Sequence, residues 1–379
     1  MADNSFTTQT SQSWLQKIMG GFIGTIIGLI LIPICIYGLW YNEGFAVKAY
    51  KALNSGASQL VTAAVDAVNP SNEKKLIYLT GKVTSEEPAK DEIFGQLGDD
   101  VLVIKRHVAM YQWVETQKST SEDKVGGSTT TTTTYSYNKD WKEEPINSSS
   151  FKVTADHKNP DMPLKTGVSV AKPIKLGAFE LEEPVTNELE KFYTPFDNVA
   201  EVPEEFKKSG NSFYKSESPD SPKIGDLKIT FEVVKSQDVS VIGGQENSKL
   251  TKFEDSKNDY SILILKPGTV NAKELFKQEE ASVGTMTWVF RAVGIIALCV
   301  AFMMLTSVLQ ALAAVLPFLS TMVAAGAFMI ALPLALFIGL ITIASSWVLH
   351  RPIIGIGIIL VAVLIKYGFY KLAHSKSNA

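Results

Sequence analysis

The sequence predicts an α+β membrane protein: four transmembrane helices, with a large β-rich extramembrane domain inserted between spans 1 and 2. Three observations predict it. Residues 18–42 carry no charge, and residues 284–365 contain no acid and no Arg or Lys except Arg291 and Arg351. Most of the 36 basic and 39 acidic residues therefore crowd into the stretch between Glu43 and Glu280. Within that stretch, residues 76–83, 101–116, 228–234 and 262–266 are rich in β-branched and aromatic side chains, the composition of half-buried strands.

The elements follow in order. Residues 1–17 form a polar tail, of which 1–13, rich in Ser, Thr and Gln, are expected to be disordered. Residues 18–41 form span 1, long enough to cross a hydrocarbon core of ~30 Å while satisfying every peptide group internally. A lone Lys17 before a long apolar run, with no small-residue cleavage site after it, marks an uncleaved anchor rather than a removable signal. The domain occupies 42–283. It opens with helical periodicity over 45–68, weakened at Asn54-Ser55-Gly56 and ended by Asn69-Pro70.

The six threonines at 129–134 could form a low-complexity tether, but threonine is a strand former and Tyr135-Ser136-Tyr137 follows. A long hairpin of 108–120 and 129–141 around the polar turn at 121–128 is therefore the favoured reading. Residues 182–192 and 202–208 predict short helices, each with proline near its start. Residues 272–283 predict a helix leading into the membrane.

The 59 residues between Arg291 and Arg351 would reach ~90 Å as one helix, too long for one crossing. They divide into span 2 at 286–310 and span 3 at 320–346, with Pro317 at the break. Span 4 is 353–370, and 371–379 is a polar tail. Four spans put both termini on one side. Lys366, Lys371 and Lys376 favour the cytoplasmic side for the C-terminus, whereas Lys48, Lys51, Arg291 and Arg351 pull the other way. The two cysteines, Cys35 and Cys299, both lie within predicted spans, so the domain has no disulfide and no thiol chemistry.

Catalytic patterns are sparse. His107, His157, His350 and His374 lack the i+4 partner of a zinc helix, Gly81-Lys82-Val83-Thr84 lacks the rest of a phosphate loop, and no G-x-S-x-G occurs. No cofactor or metal is expected. A net charge of −3 gives no basic surface for nucleic acid. Gly20, Gly24 and Gly28 repeat at intervals of four, a spacing that lets helices approach closely. Arg351-Pro352 suits an interfacial turn. Apart from Arg291 near the start of span 2 and Lys366 near the end of span 4, the predicted spans carry no charged residue, which fits packing surfaces better than a conduction path.

A set of motifs in one order runs along most of the chain. Arg106-His107-Val108-Ala109-Met110-Tyr111-Gln112-Trp113-Val114-Glu115-Thr116 comes first, then Tyr135-Ser136-Tyr137-Asn138 with Trp141, Asn147-Ser148 with Phe151, and His157-Lys158-Asn159-Pro160. With Asn42-Glu43-Gly44, Phe213-Tyr214, Gly225-Asp226-Leu227 and Arg351-Pro352, this pattern resembles the LUMA family (transmembrane protein forty-three). The resemblance implies four spans with the domain between the first and second. It also implies residence in the endoplasmic reticulum and inner nuclear membrane, self-association, and binding to emerin and lamins in animals. Bacterial members exist, and for one of them the domain would face the periplasm of the inner membrane. The Thr tract and the sparse N-terminal basic residues depart from the animal pattern, which puts a lamin-related role in doubt.

The expected function is a non-enzymatic membrane scaffold that contacts lipid, forms a homo-oligomer and organises other membrane proteins through its domain. Tyr111, Trp113, Tyr135, Tyr137 and Trp141 are expected to build the hairpin core, or else to form a partner surface. A lipid-handling or transport-associated protein is the alternative. A hydrolase would need His107 or His157 to meet acids in a pocket.

Overall fold

The computed structural model describes residues 5–350. Span 4 and the C-terminal tail predicted from the sequence lie outside the described residues. The described chain forms two compact units. A β-rich unit includes Ala52–Thr120 and Thr132–Gln278, and a helical unit includes Gln9–Lys51, Ser121–Thr131 and the chain from Glu279.

The β-rich unit is built on two sheets. In the first, strands run in the order Ser5–Gln12, Thr129–Lys142, Val101–Asp123, Leu227–Lys235, Ser212–Lys215 and Lys207–Ser209. Gly167–Val170 pairs with Val101–Asp123 off this path, and Thr194–Phe196 pairs with Leu227–Lys235. Antiparallel register sets Met110 opposite Leu227, Val108 opposite Ile229 and Ile104 opposite Val233. All six are buried, so one face of this pair lies against the core.

In the second sheet, Asp238–Glu246 pairs with Leu76–Ser85, Ile264–Pro267 and Lys249–Thr251. Through Phe179–Leu181 and Ile174–Leu176 the path returns to Leu76–Ser85, closing five strands into a ring. A closed ring leaves those strands without a free edge. Core aromatics meet at Phe94, whose ring centroid lies 4.9 Å from Phe206, 5.3 Å from Phe213 and 5.0 Å from Phe231.

Helix α1 is Trp14–Gln59, α2 Glu183–Leu189, α3 Ala272–Leu305, α4 Ser307–Ala313 and α5 Pro317–His350. Three of them, α1, α3 and α5, are long and apolar enough to cross a membrane. The 46 residues of α1 rise ~69 Å, so part of it extends past any bilayer core. It does not break at Asn54-Ser55-Gly56, because Ala49, Ala52 and Leu53 are fully buried and hold the turn in place.

Four elements differ from the sequence reading. The helix predicted over 45–68 ends at Gln59 rather than at Asn69-Pro70, and Val61–Thr62 leaves it to pair with Leu76–Ser85. Residues 5–12 are a strand rather than a disordered tail, since their Thr and Ser residues extend readily along the Thr-tract strand. The chain near 202–208 is not helical; Lys207–Ser209 is instead an edge strand paired with Ser212–Lys215. Finally, α3 runs unbroken from the lead-in into the apolar segment and stops at Leu305, before the predicted end at 310. The short α4 fills the connection, and Pro317 opens α5.

Candidate functional site

Alternation along Val101–Asp123 sends Val108 and Met110 inward, and Gln112 continues the same row at 0% exposure. A buried amide must find partners. Gln112 donates through Nε2 to the Glu144 carbonyl at 3.0 Å and the Lys142 carbonyl at 3.3 Å, and its Oε1 accepts from Ile146 N–H at 2.8 Å. It therefore pins the chain that leaves the hairpin.

Asn159 ties the far end of that strap. Its Oδ1 accepts from Trp113 N–H at 2.7 Å, while Nδ2 donates to the carbonyls of Trp113 at 3.0 Å and Ile146 at 3.3 Å. Its own N–H donates to Ser148 Oγ at 2.9 Å. Tyr137 OH donates to Glu115 Oε2 at 2.7 Å and accepts from Val153 N–H at 2.9 Å. Burial, with the Glu115 carboxylate bonded to it, raises the Tyr137 phenol above its ordinary pKa and keeps it a neutral donor. Lys152 N–H adds a bond to Glu115 Oε2 at 2.6 Å.

His157 sits inside this frame at 2% exposure. Its ring stacks on Tyr137 at 4.1 Å and meets Trp113 edge-on at 4.6 Å. Neither ring nitrogen has a hydrogen-bond partner among the described residues, so its contribution is ring packing. His157→Phe should therefore hold or raise the melting temperature, whereas His157→Ala should cost about 2–4 kcal/mol through the cavity it leaves. Thermal unfolding of both variants checks this, and a marked loss in the Phe variant would rule out a packing role.

The remaining motif residues spread around this centre. Arg106 is buried and pairs with Asp91 at 2.5 Å, whose other oxygen caps the N–H groups of Ile93 and Phe94. His107 Nε2 lies 2.8 Å from Glu232 and its Nδ1 3.5 Å from Glu143, on the wall of a cleft of about 430 Å³, so the meeting of histidine and acids that a hydrolase would need occurs at His107 and not at His157. Met110 belongs to the core. Tyr111 contacts Trp141 at 5.3 Å, and Trp141 contacts Tyr214 at 5.8 Å. Tyr135 meets Phe6 at 6.5 Å. Asn138 is exposed and Pro160 lies just past the strap's Asn159. Of the five aromatics expected in the hairpin core, Tyr137 is buried, while Tyr111, Trp113, Tyr135 and Trp141 are half-buried.

The helical unit holds a polar cluster that the sequence reading did not assemble. Glu43 on α1 is 2% exposed and receives both arms of Arg291 on α3, Nε at 2.5 Å and Nη2 at 2.8 Å. Trp347 on α5 donates its indole N–H to the same carboxylate at 2.7 Å. The Arg291 guanidinium lies 4.6 Å from the Trp288 ring and 5.6 Å from Trp347. A fork-to-fork pair in a desolvated setting fixes geometry tightly. The sequence did contain a signal: Glu43 is the first charge after an apolar run, and Arg291 is the sole charge in predicted span 2.

The glycine stripe divides. A Cβ at Gly28 would fall 2.7 Å from the Ala301 carbonyl oxygen, and one at Gly24 would fall 2.9 Å from Ser307 Oγ. Gly20 faces open space, and Gly21 instead approaches Ser307. Gly24 and Gly28 thus pack α1 against later helices of the same chain. Gly28→Leu should cost roughly 1–3 kcal/mol by overpacking, and Gly20→Leu under about 0.5 kcal/mol. Melting temperatures in one detergent would show the contrast, and equal shifts would deny it.

Comparison with known proteins now bears on these residues. The profile for Transmembrane protein 43 matches residues 110–352, from the hairpin motif to the end of the described helices. The chain belongs to the transmembrane protein 43 family. Transmembrane protein 43 of Homo sapiens is 29% identical over 374 residues, covering 94% of this chain and 93% of its own. The mouse protein is 29% identical over 360 residues, covering 92% and 89%. The Drosophila melanogaster homolog is 26% identical over 344 residues, covering 87% and 89%. These relatives carry no enzymatic name. No solved structure matches the chain. Within the transmembrane protein 43 match lie Gln112, Trp113, Tyr137, His157 and Asn159, together with Arg291 and Trp347.

Proposed function

We propose that this membrane protein is a non-enzymatic scaffold with four spans, the fourth at 353–370, that self-associates and organises membrane protein complexes through its β-rich domain. One observation carries the reading. The polar groups of Gln112, Asn159, Glu115 and Tyr137 are spent on the protein's own backbone and on each other, which suits a rigid platform better than a reacting centre. Its proposed partners are membrane lipid, further copies of the chain and other membrane proteins, with emerin and lamins in an animal cell. In a bacterium the domain would face the periplasm of the inner membrane. In a eukaryote it would face the lumen of the endoplasmic reticulum and inner nuclear membrane.

The test is cross-linking in native membranes, followed by mass determination in lipid nanodiscs. Multimers and cross-links from the domain to other membrane proteins are expected. A monomer with tightly bound lipid in the domain would favour lipid handling instead. For topology, reporters fused after Asn69 and at the C-terminus should lie on opposite sides of the membrane; a same-side result excludes four spans. Lys17 lies 2.6 Å from Asp123 at the hairpin tip, and the strand Ser5–Gln12 pairs with Thr129–Lys142; a domain opposite the N-terminus would part both contacts. Labelling a cysteine introduced at Val125 from each side decides whether they survive in the bilayer.

A further inference from the structure

In the β-rich unit, one free strand edge, one exposed apolar side chain and one acidic rim coincide. The strand Gly167–Val170 pairs on one side with Val101–Asp123, setting Val168 opposite Lys105 and Val170 opposite Val103. Among the described residues no strand pairs with its other side. That edge borders a cleft of about 980 Å³, in the range of sites that bury a short ligand segment. Val168 is 48% exposed, and the other exposed large apolar side chain of this unit is Phe6. An edge with unpaired N–H and C=O groups beside an apolar side chain is a template for another strand.

The rim indicates the chemistry of the occupant. Glu180, Glu182, Glu183 and Glu190 line the cleft against Lys172 and Lys249, and Lys249 is already engaged with Glu182 at 3.5 Å. The cleft therefore carries a surplus of negative charge. A strand presents alternate side chains to opposite faces, so a complementary segment sets apolar residues toward Val168 and Val170 and basic residues toward the glutamates.

We propose that the outer edge of Gly167–Val170 accepts an extended segment of a partner protein, added as a further strand, in which Lys or Arg alternates with small apolar residues. The proposal rests on the scaffold reading and names the chemistry of one of its partners.

The test uses the full chain in phosphatidylcholine nanodiscs, with empty nanodiscs subtracted, and a fluorescent octapeptide of alternating Lys and Val. Three outcomes support the proposal together. The Lys/Val peptide binds, and its Glu/Val counterpart binds at least roughly tenfold more weakly. N-methylation of alternate amides, which removes strand hydrogen bonds but no charge, weakens binding roughly tenfold on one set of amides and little on the other. The exposed double variant Glu180→Lys/Glu183→Lys reverses the preference between the two peptides. No binding, or binding indifferent to N-methylation, overturns the added strand. If native cross-links to partners are found but none falls within 167–190, the scaffold stands and this site falls.

Discussion

Glu43→Gln is expected to destabilise the helical unit by about 3–5 kcal/mol, the usual cost of removing one partner from a buried ion pair. The loss has little to do with the attraction removed. Glu43 is almost fully buried, Arg291 has a 13% exposed side chain, and both arms of its guanidinium are committed to the one carboxylate. An amide keeps the shape but leaves a desolvated cation uncompensated, and the Trp347 indole loses a charged acceptor. Glu43→Leu with Arg291→Met separates the two contributions. If burial of an unpaired charge drives the loss, the double variant should recover most of the stability, because an apolar pair of similar volume is often neutral or better. Trp288 and Trp347 flank the pair and report its opening by fluorescence during thermal unfolding in detergent. A double variant as unstable as Glu43→Gln would mean that the attraction itself, rather than the stranded cation, holds α1, α3 and α5 together.

What the sequence disclosed depended on whether the signal was local. The apolar helices α1, α3 and α5 announce themselves by length and absence of charge, and the Thr tract by its β-branched side chains before Tyr135 and Tyr137. The closed ring of strands could not be read in that way. Ile174–Leu176, Phe179–Leu181 and Lys249–Thr251 are three residues each, too short for a period, and exist because distant strands pair with them. The same limit applies to the sites. Gln112, His157 and Asn159 stood out as members of a motif set, yet Trp113 and Asn159 are 46 positions apart and Glu43 and Arg291 are 248 apart. Residues 5–12 were misread for a related reason: their composition permits a strand, but the Thr-tract strand they join lies far along the chain. Residues 202–208 were misread although the hairpin of Lys207–Ser209 with Ser212–Lys215 is local, because Pro203 and the following glutamates imitate a helix start.

Asn159→Ala should release the strap at 143–160 and lower stability by about 2–4 kcal/mol. Three backbone groups depend on that amide: Trp113 N–H, the Trp113 carbonyl and the Ile146 carbonyl. Each buried group left without a partner costs ~1–3 kcal/mol, and the total falls short of their sum because the site is only partly buried and water can reach some of them. The strap is also held by Gln112, Tyr137 and Glu115, so the change should open the Asn159 end first. Limited proteolysis of the native protein should then cut between 143 and 160 in the variant at temperatures where the parent resists, since protease access follows local opening. Asn138→Ala serves as the control: it lies in the same motif set but is exposed, and its effect should stay within about 0.5 kcal/mol. Unchanged cleavage in Asn159→Ala would mean that the side-chain amide does not hold the strap down, leaving the ring packing of His157 against Tyr137 and Trp113 and the bond from the residue 159 N–H to Ser148 Oγ, both of which survive the substitution.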